Sequence, residues 1–282
     1  MTAHGDNTAA VSIERSLEDQ LAEGLAIARR SDALTFIAMS VSRVSVEAVA
    51  AAWPSSPLVV WASGATGIVG VGIAREIRGT GAARFAEVIA CANRIRIGAV
   101  VGKSPWSPRI LGGFAFAPGA ADREPWTGFG DAWFALPRWT YSVDGWLVLA
   151  VDAQDAERGA RWRDELDIFR RCLTGTYQVQ PPPAVTEIDA DGADEWRRNV
   201  SGIVAAVTRG EYAKVVAARH ARVTLARQIQ AADLLAELSA QQSDCTRLLV
   251  RPDGGASLVA ATPERLVHVA QHRVECDALA GS

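Results

Sequence analysis

The sequence predicts an α+β fold, antiparallel β-sheets with helices on the outside, and three observations predict it. Short apolar runs punctuated by Gly, Pro and Ser fill residues 34–151, the pattern of strands joined by turns. Stretches with apolar residues at helical spacing lie on both sides of that region. Residues suited to tight turns join neighbouring strands. The 282 residues are 49% apolar and 22% charged, a balance that lets a soluble chain bury a sizeable core in one large domain or two modest ones.

Taken in order, residues 1–10 are polar and read as disordered. Ser16 can cap a helix running to about Arg30, with Leu17, Leu21, Leu25 and Ala28 on one face. Leu34–Met39, Leu58–Ala62, Ile97–Val101 and Phe114–Phe116 read as strands. Trp139–Tyr141 and Trp146–Val151 flank Val143-Asp144-Gly145, a hairpin signal. Eight of the nine tryptophans precede residue 170, which fits an aromatic sheet core. Arg158–Arg171 is a charged helix whose buried side carries Trp162, Leu166 and Phe169. Pro181, Pro182 and Pro183 can continue neither a helix nor a central strand. They divide the chain into a Trp-rich region, 1–178, and a second domain, 187–282. In the latter, a helix near Asp194–Thr208 presents Trp196, Val200, Ile203, Val204 and Val207. A strand at Lys214–Ala218 follows, then a helix opened by Asp233. Leu248–Val250 and Ser257–Ala261 form a hairpin.

Composition excludes several functions. A net charge of -3 gives no reason to expect nucleic acid or an anionic membrane as partner. Cys91, Cys172, Cys245 and Cys276 are scattered, without metal-binding spacing, and read as buried thiols of a reducing compartment. The N-terminus lacks a signal-peptide core. The apolar stretch 57–74 is broken by glycines and reads as strands rather than a membrane span. The cytoplasm is the expected location. Gly64, Gly67 and Gly70 follow an apolar run, but β-branched residues come next, and the reading is a glycine-rich hairpin rather than a dinucleotide cradle. His268 and His272 are expected on either side of a strand turn rather than as a zinc pair, and no metal ligand is assigned. Arg161, Arg163, Arg170 and Arg171 interleave with acids, as on a solvated helix face.

Two residues suggest chemistry. Strand alternation puts Lys214, Val216 and Ala218 on one small, apolar face, where desolvation lowers a lysine pKa toward that of a general base. Glu264 follows Pro263 beside Leu266 and Val267, and a carboxyl against apolar walls has a raised pKa and can act as an acid. The alternatives are an edge lysine reaching water, and a Glu264 that pairs with Arg265 or caps a turn.

Lys214-Val-Val-Ala-Ala-Arg219, Ala260-Ala-Thr-Pro-Glu264-Arg-Leu266 and Ala278-Leu-Ala-Gly-Ser282 occur in that order, with Glu264 standing 50 residues after Lys214. Together they resemble the motifs of the isochorismate synthases of the chorismate-utilising enzyme family. Gly112-Gly113-Phe-Ala-Phe116 and Leu136-Pro137-Arg138 resemble its N-terminal half more loosely. The resemblance implies the chorismate-utilising fold, similar to anthranilate synthase component I, and chorismate as substrate. It implies Lys214 as the base that activates water for attack at C2 and Glu264 as the acid that protonates the departing C4 hydroxyl. Gly281 and Ser282 would bind the substrate near a carboxylate. The product would feed menaquinone or a catecholate siderophore. Anthranilate synthases lack the lysine; salicylate synthases share it and stand as an alternative. Ala260 replaces the family's usual glycine. The family also uses Mg²⁺, whose acidic ligands are expected beyond Ser282. The chain is therefore expected to be a truncated form lacking the C-terminal part of the fold and inactive alone. The rival expectation is a non-catalytic binding module.

Overall fold

The computed structural model describes residues 7–277 apart from 103, 159, 191, 254 and 271, with side chains from residue 18 onward apart from that of residue 160. By contacts the chain forms two compact units. Residues up to Val179 and from Gln230 onward make the first, and Gln180–Ile229 make the second.

The first unit begins with α1 (Asn7–Ala28), β1 (Leu34–Ser40), α2 (Val46–Ala51), β2 (Leu58–Ser63), β3 (Thr66–Val71) and β4 (Arg75–Gly79). It continues with α3 (Arg84–Asn93), β5 (Ile97–Val101), β6 (Leu111–Phe114), β7 (Ala132–Leu136), β8 (Trp139–Ser142), β9 (Trp146–Val151), α4 (Ala153–Arg158) and α5 (Ala160–Thr174). The second unit holds β10 (Val185–Ala190), α6 (Ala193–Thr208) and β11 (Ala221–Leu225). The chain then returns to the first with α7 (Ala231–Gln241), β12 (Thr246–Arg251), β13 (Leu258–Thr262), β14 (His268–Ala270) and β15 (Arg273–Glu275).

Eight strands of the first unit form one sheet in the order β13-β12-β2-β3-β8-β9-β1-β5. Every pair in it is antiparallel except β1 with β5. Alternation along the strands divides their side chains between two faces. One face, with Ile37, Met39, Val60, Tyr141, Leu149 and Leu249, packs under α1, α2, α4, α5 and α7. The other, with Phe36, Val148 and Val59, is covered by the three-stranded sheet β4-β7-β6, on which α3 packs in turn.

Helix α5 shows why the helical layer stays in place. Trp162, Leu166 and Phe169 are buried, and Phe169 meets both Trp53 and Trp139 with ring centroids 5.2 and 5.3 Å away. Each such side chain contributes roughly 1.5–3 kcal/mol through the area it removes from water. Behind it, Arg138, which is buried, places Nη1 3.0 Å from Asp155 Oδ1. Glu165 accepts the Trp139 indole N–H at 2.8 Å.

The expected elements Leu34–Met39, Leu58–Ala62, Ile97–Val101 and the 139–151 hairpin lie within observed strands. Gly145 takes φ +89° in that hairpin's turn. The stretch Gly64–Gly70 is the turn and return strand of β2–β3, not a phosphate loop. Three expectations are corrected. The first helix begins at Asn7 rather than Ser16; residues 1–6 lie outside the described residues. The strand expected at 114–116 is instead β6 at 111–114, because its ladder with β7 ends at the Phe114–Ala132 pair. The proline run opens the second unit, but residues from 230 onward return to the first, because β12 pairs with β2 from Arg247–Ala62 to Arg251–Leu58.

Candidate functional site

The Glu264 turn grows from the sheet edge. Helix α7 is fixed first: the Tyr177 hydroxyl donates to Asp233 at 2.5 Å, and Ser239 donates to Glu47 of α2 at 2.7 Å. Burial, with Asp233 adding to it, pushes the Tyr177 pKa up. Strand β12 follows, held by buried Arg251, whose guanidinium donates to the Trp53 carbonyl and, at 2.8 Å, to that of Ser56. Desolvation lowers the Arg251 pKa. β13 pairs with β12 from Leu258–Val250 to Thr262–Thr246. Thr262-Pro263-Glu264 then leaves the sheet, and the Glu264 N–H donates to Thr262 Oγ1 at 3.2 Å.

Glu264 is exposed, so the apolar walls expected around its carboxyl are absent. Arg265 does not pair with it. The Arg265 guanidinium donates to Asp277 at 2.8 and 3.2 Å and lies 3.7 Å from Glu275. That contact holds the Asp277 carboxyl below the usual carboxylate range. His268 and His272 lie on the β14 strand and in the turn to β15 respectively, as the sequence indicates.

Lys214 belongs to the second unit and is exposed. The strand expected at Lys214–Ala218 does not form. The strand of this region is β11, starting at Ala221, which pairs with β10 from Ala190 to Val185. The expected desolvation of Lys214 on an apolar face is therefore corrected: no ladder neighbour covers that face, and Val216 is 78% exposed. Nearby, the Arg219 guanidinium lies over the Trp196 ring, 5.8 Å from its centroid. Gly281 and Ser282 lie outside the described residues.

A cleft of about 480 Å³ in the first unit is lined by Gly112, Phe114, Phe116, Trp126 and Leu258, among others, and by neither Lys214 nor Glu264. Gly112 has a packing reason to be glycine: a Cβ there would come within 2.1 Å of the Trp133 carbonyl oxygen. Among the described residues, no group of three or more His, Cys, Asp or Glu side chains could hold a metal ion. The described residues alone therefore do not make a magnesium site.

The family profile described as chorismate binding enzyme matches residues 25–282. The chain belongs to the chorismate-binding enzyme family. It is 29% identical over 235 residues to the salicylate biosynthesis isochorismate synthase of Pseudomonas aeruginosa, an alignment that covers 80% of this chain and 48% of that protein. The chain thus spans about half the length of this curated relative. Its fold matches the structure of MenF, the menaquinone-specific isochorismate synthase from Escherichia coli, with a TM-score of 0.63 and 17% identity over 88% of this chain and 56% of that one. The mixed α+β architecture is that of the chorismate-utilising fold. Among the described residues, no helix is long and apolar enough to cross a membrane.

The Arg265–Asp277 contact is what reading the sequence misses. Its only signals are an arginine directly after Glu264 and an aspartate directly before Ala278, and neither fixes a partner.

Proposed function

We propose that this chain carries the isochorismate synthase reaction on chorismate, with Lys214 as base and Glu264 as acid. The observation that carries the reading is the ordered set of three motifs inside a family match that runs from residue 25 to 282. In this reaction the Lys214 amine takes a proton from water as the water oxygen bonds to C2 of the ring. The ring double bonds shift, the C4–O bond breaks, and Glu264 gives its proton to the departing hydroxyl, which leaves as water. One water enters and one leaves, so the conversion is an isomerisation.

The acid needs a proton when the C4 oxygen leaves, and a base needs a free amine. Both conditions favour removal from bulk water, so substrate binding must cover Lys214 and Glu264. Gly281 suits close backbone approach to a substrate carboxylate, since glycine lacks a Cβ, and Ser282 offers a hydroxyl donor. Whether the product serves menaquinone or a siderophore is a matter of the enzymes that follow.

The test is chromatographic assay of chorismate, isochorismate and salicylate after incubation of the folded chain with chorismate and magnesium. Against the expectation of a chain inactive alone, which stands as the competing outcome, the reading expects isochorismate from the wild type and its loss, by about a hundredfold or more, in Lys214→Gln and Glu264→Gln, as for removal of a general base or acid. Salicylate as the main product would favour the salicylate synthase alternative. Chorismate binding without turnover would contradict the catalytic reading and fit a binding module or a chain inactive alone.

A further inference from the structure

The Glu264 turn is held on both sides by side chains that the proposed chemistry leaves unused. Before it, Thr262 ends β13 opposite Thr246 and accepts the Glu264 N–H at 3.2 Å. After it, Arg265 donates to Asp277 Oδ1 through Nη2 at 2.8 Å and to Oδ2 through Nε at 3.2 Å. Glu275 Oε2 lies 3.7 Å from the same Nη2, and Glu275 is itself held by Arg273 Nε at 2.8 Å. The guanidinium is thus anchored to β15 and to the residue that directly precedes Ala278 in the chain. Among the described residues, no ion pair takes up the Glu264 carboxylate, although an arginine is its immediate neighbour.

A two-point fork fixes direction as well as distance, which the point charge of a lysine does not. The pair is also too exposed to matter much for stability, because water screens its attraction. Its consequence is geometric. With Thr262 fixing one end of the turn and Arg265 the other, the Glu264 backbone has little freedom to swing.

The geometry points to Arg265 as a positioning residue, which grips Asp277 and so holds the Glu264 turn against the strand leading into Ala278–Ser282. Its catalytic consequence rests on Glu264 being the acid of the proposed reaction. A reacting group misplaced by about 1 Å can cost a hundredfold in rate. A loosened turn should therefore lower kcat and leave the bulk fold alone.

The test compares Arg265→Ala, Arg265→Lys, Asp277→Ala and the Arg265→Ala/Asp277→Ala double variant, all in the full chain. Hydrogen–deuterium exchange is read over residues 264–266 and, as control, over β12. We expect the 264–266 amides of both single alanine variants to exchange about threefold faster with β12 unchanged, as in local opening without global unfolding. Arg265→Lys should restore little of the protection. The double variant should be no worse than either single one, the signature of two groups acting as one unit. In an active chain, kcat should fall about tenfold in Arg265→Ala with a smaller change in KM, as for an interaction that serves the transition state. Unchanged exchange, additive effects in the double variant, or full rescue by lysine would overturn the inference. Absence of isochorismate from the wild type, or normal turnover by Glu264→Gln, would instead defeat the proposed reaction, and the exchange comparison would still decide whether Arg265 fixes the turn.

Discussion

Helices α5 and α6 carry the same kind of sequence signature, a tryptophan followed by apolar residues at helical spacing, but only α5 buries it. Trp162, Leu166 and Phe169 of α5 lie in the main core. No residue of α6 is buried, and Val204 and Val207 are among the exposed large apolar side chains. Periodicity identifies the face that a helix can bury. It does not say what covers that face. The same lesson applies to strands. Trp146–Val151 is held by β8 on one side and β1 on the other, whereas Lys214–Ala218, equally rich in Val and Ala, joins no ladder of the described sheets. A β-favouring composition becomes a strand only when a partner supplies hydrogen bonds and a packing surface.

The comparison can be broken most forcefully by truncating matched positions. Phe169→Ala should cost about 3–5 kcal/mol in urea unfolding, because it opens a cavity between Trp53 and Trp139. Val204→Ala in α6 should stay within about 0.5 kcal/mol, as for surface changes. Comparable losses at both positions would show that α6 is covered after all.

A smaller effect sharpens the account of the layer under α5. Glu165→Ala removes the acceptor of the Trp139 indole N–H and leaves a buried donor unpaired. The expected cost is about 2 kcal/mol, measured as a shift in denaturation midpoint without a change in slope.

The smallest effect concerns pH. Asp152 accepts the Asp155 N–H at 2.9 Å, at the start of α4, and pairs with Arg75 at 3.0 Å. Burial pushes its carboxyl pKa up, but those hydrogen bonds pull it down further, to a net value below the ordinary one. A depressed carboxyl contributes stability above its unfolded pKa and loses it as pH falls through the folded one. Asp152→Ala should therefore cost about 1 kcal/mol at neutral pH, as for a lost helix cap. That cost should shrink below about pH 4, where the unfolded carboxyl takes up its proton. A cost that is constant with pH would contradict the assigned hydrogen bonds.

How much of this was readable from the sequence depended on whether the signal was local. The β8–β9 hairpin was legible because Asp144-Gly145 sets its turn and Trp, Tyr and Val fill its strands. Strand β4, Arg75–Gly79, was not, because Ile77 is its one large apolar residue and its ladder with β7 defines it. Return of residues 246–262 to the first sheet needs a partner nearly two hundred residues upstream, which no local pattern encodes. Helix α3 was missed for a related reason: Phe85 and Ile89 remain exposed, which blurs its apolar face. At the candidate site, motif order pointed to Lys214 and Glu264. The environment expected for Lys214 failed because alternation predicts a shared face and not its cover, and that for Glu264 failed because its apolar neighbours in sequence, Leu266 and Val267, are themselves exposed.

The central proposal is that water adds to chorismate under control of Lys214 and Glu264. The most direct measurement is turnover in water enriched with heavy oxygen, followed by mass spectrometry of the isochorismate formed. The account expects one heavy oxygen, carried by the C2 hydroxyl, and no labelled product from Lys214→Gln. Isochorismate without the label, or no isochorismate from a folded chain that binds chorismate, would contradict it.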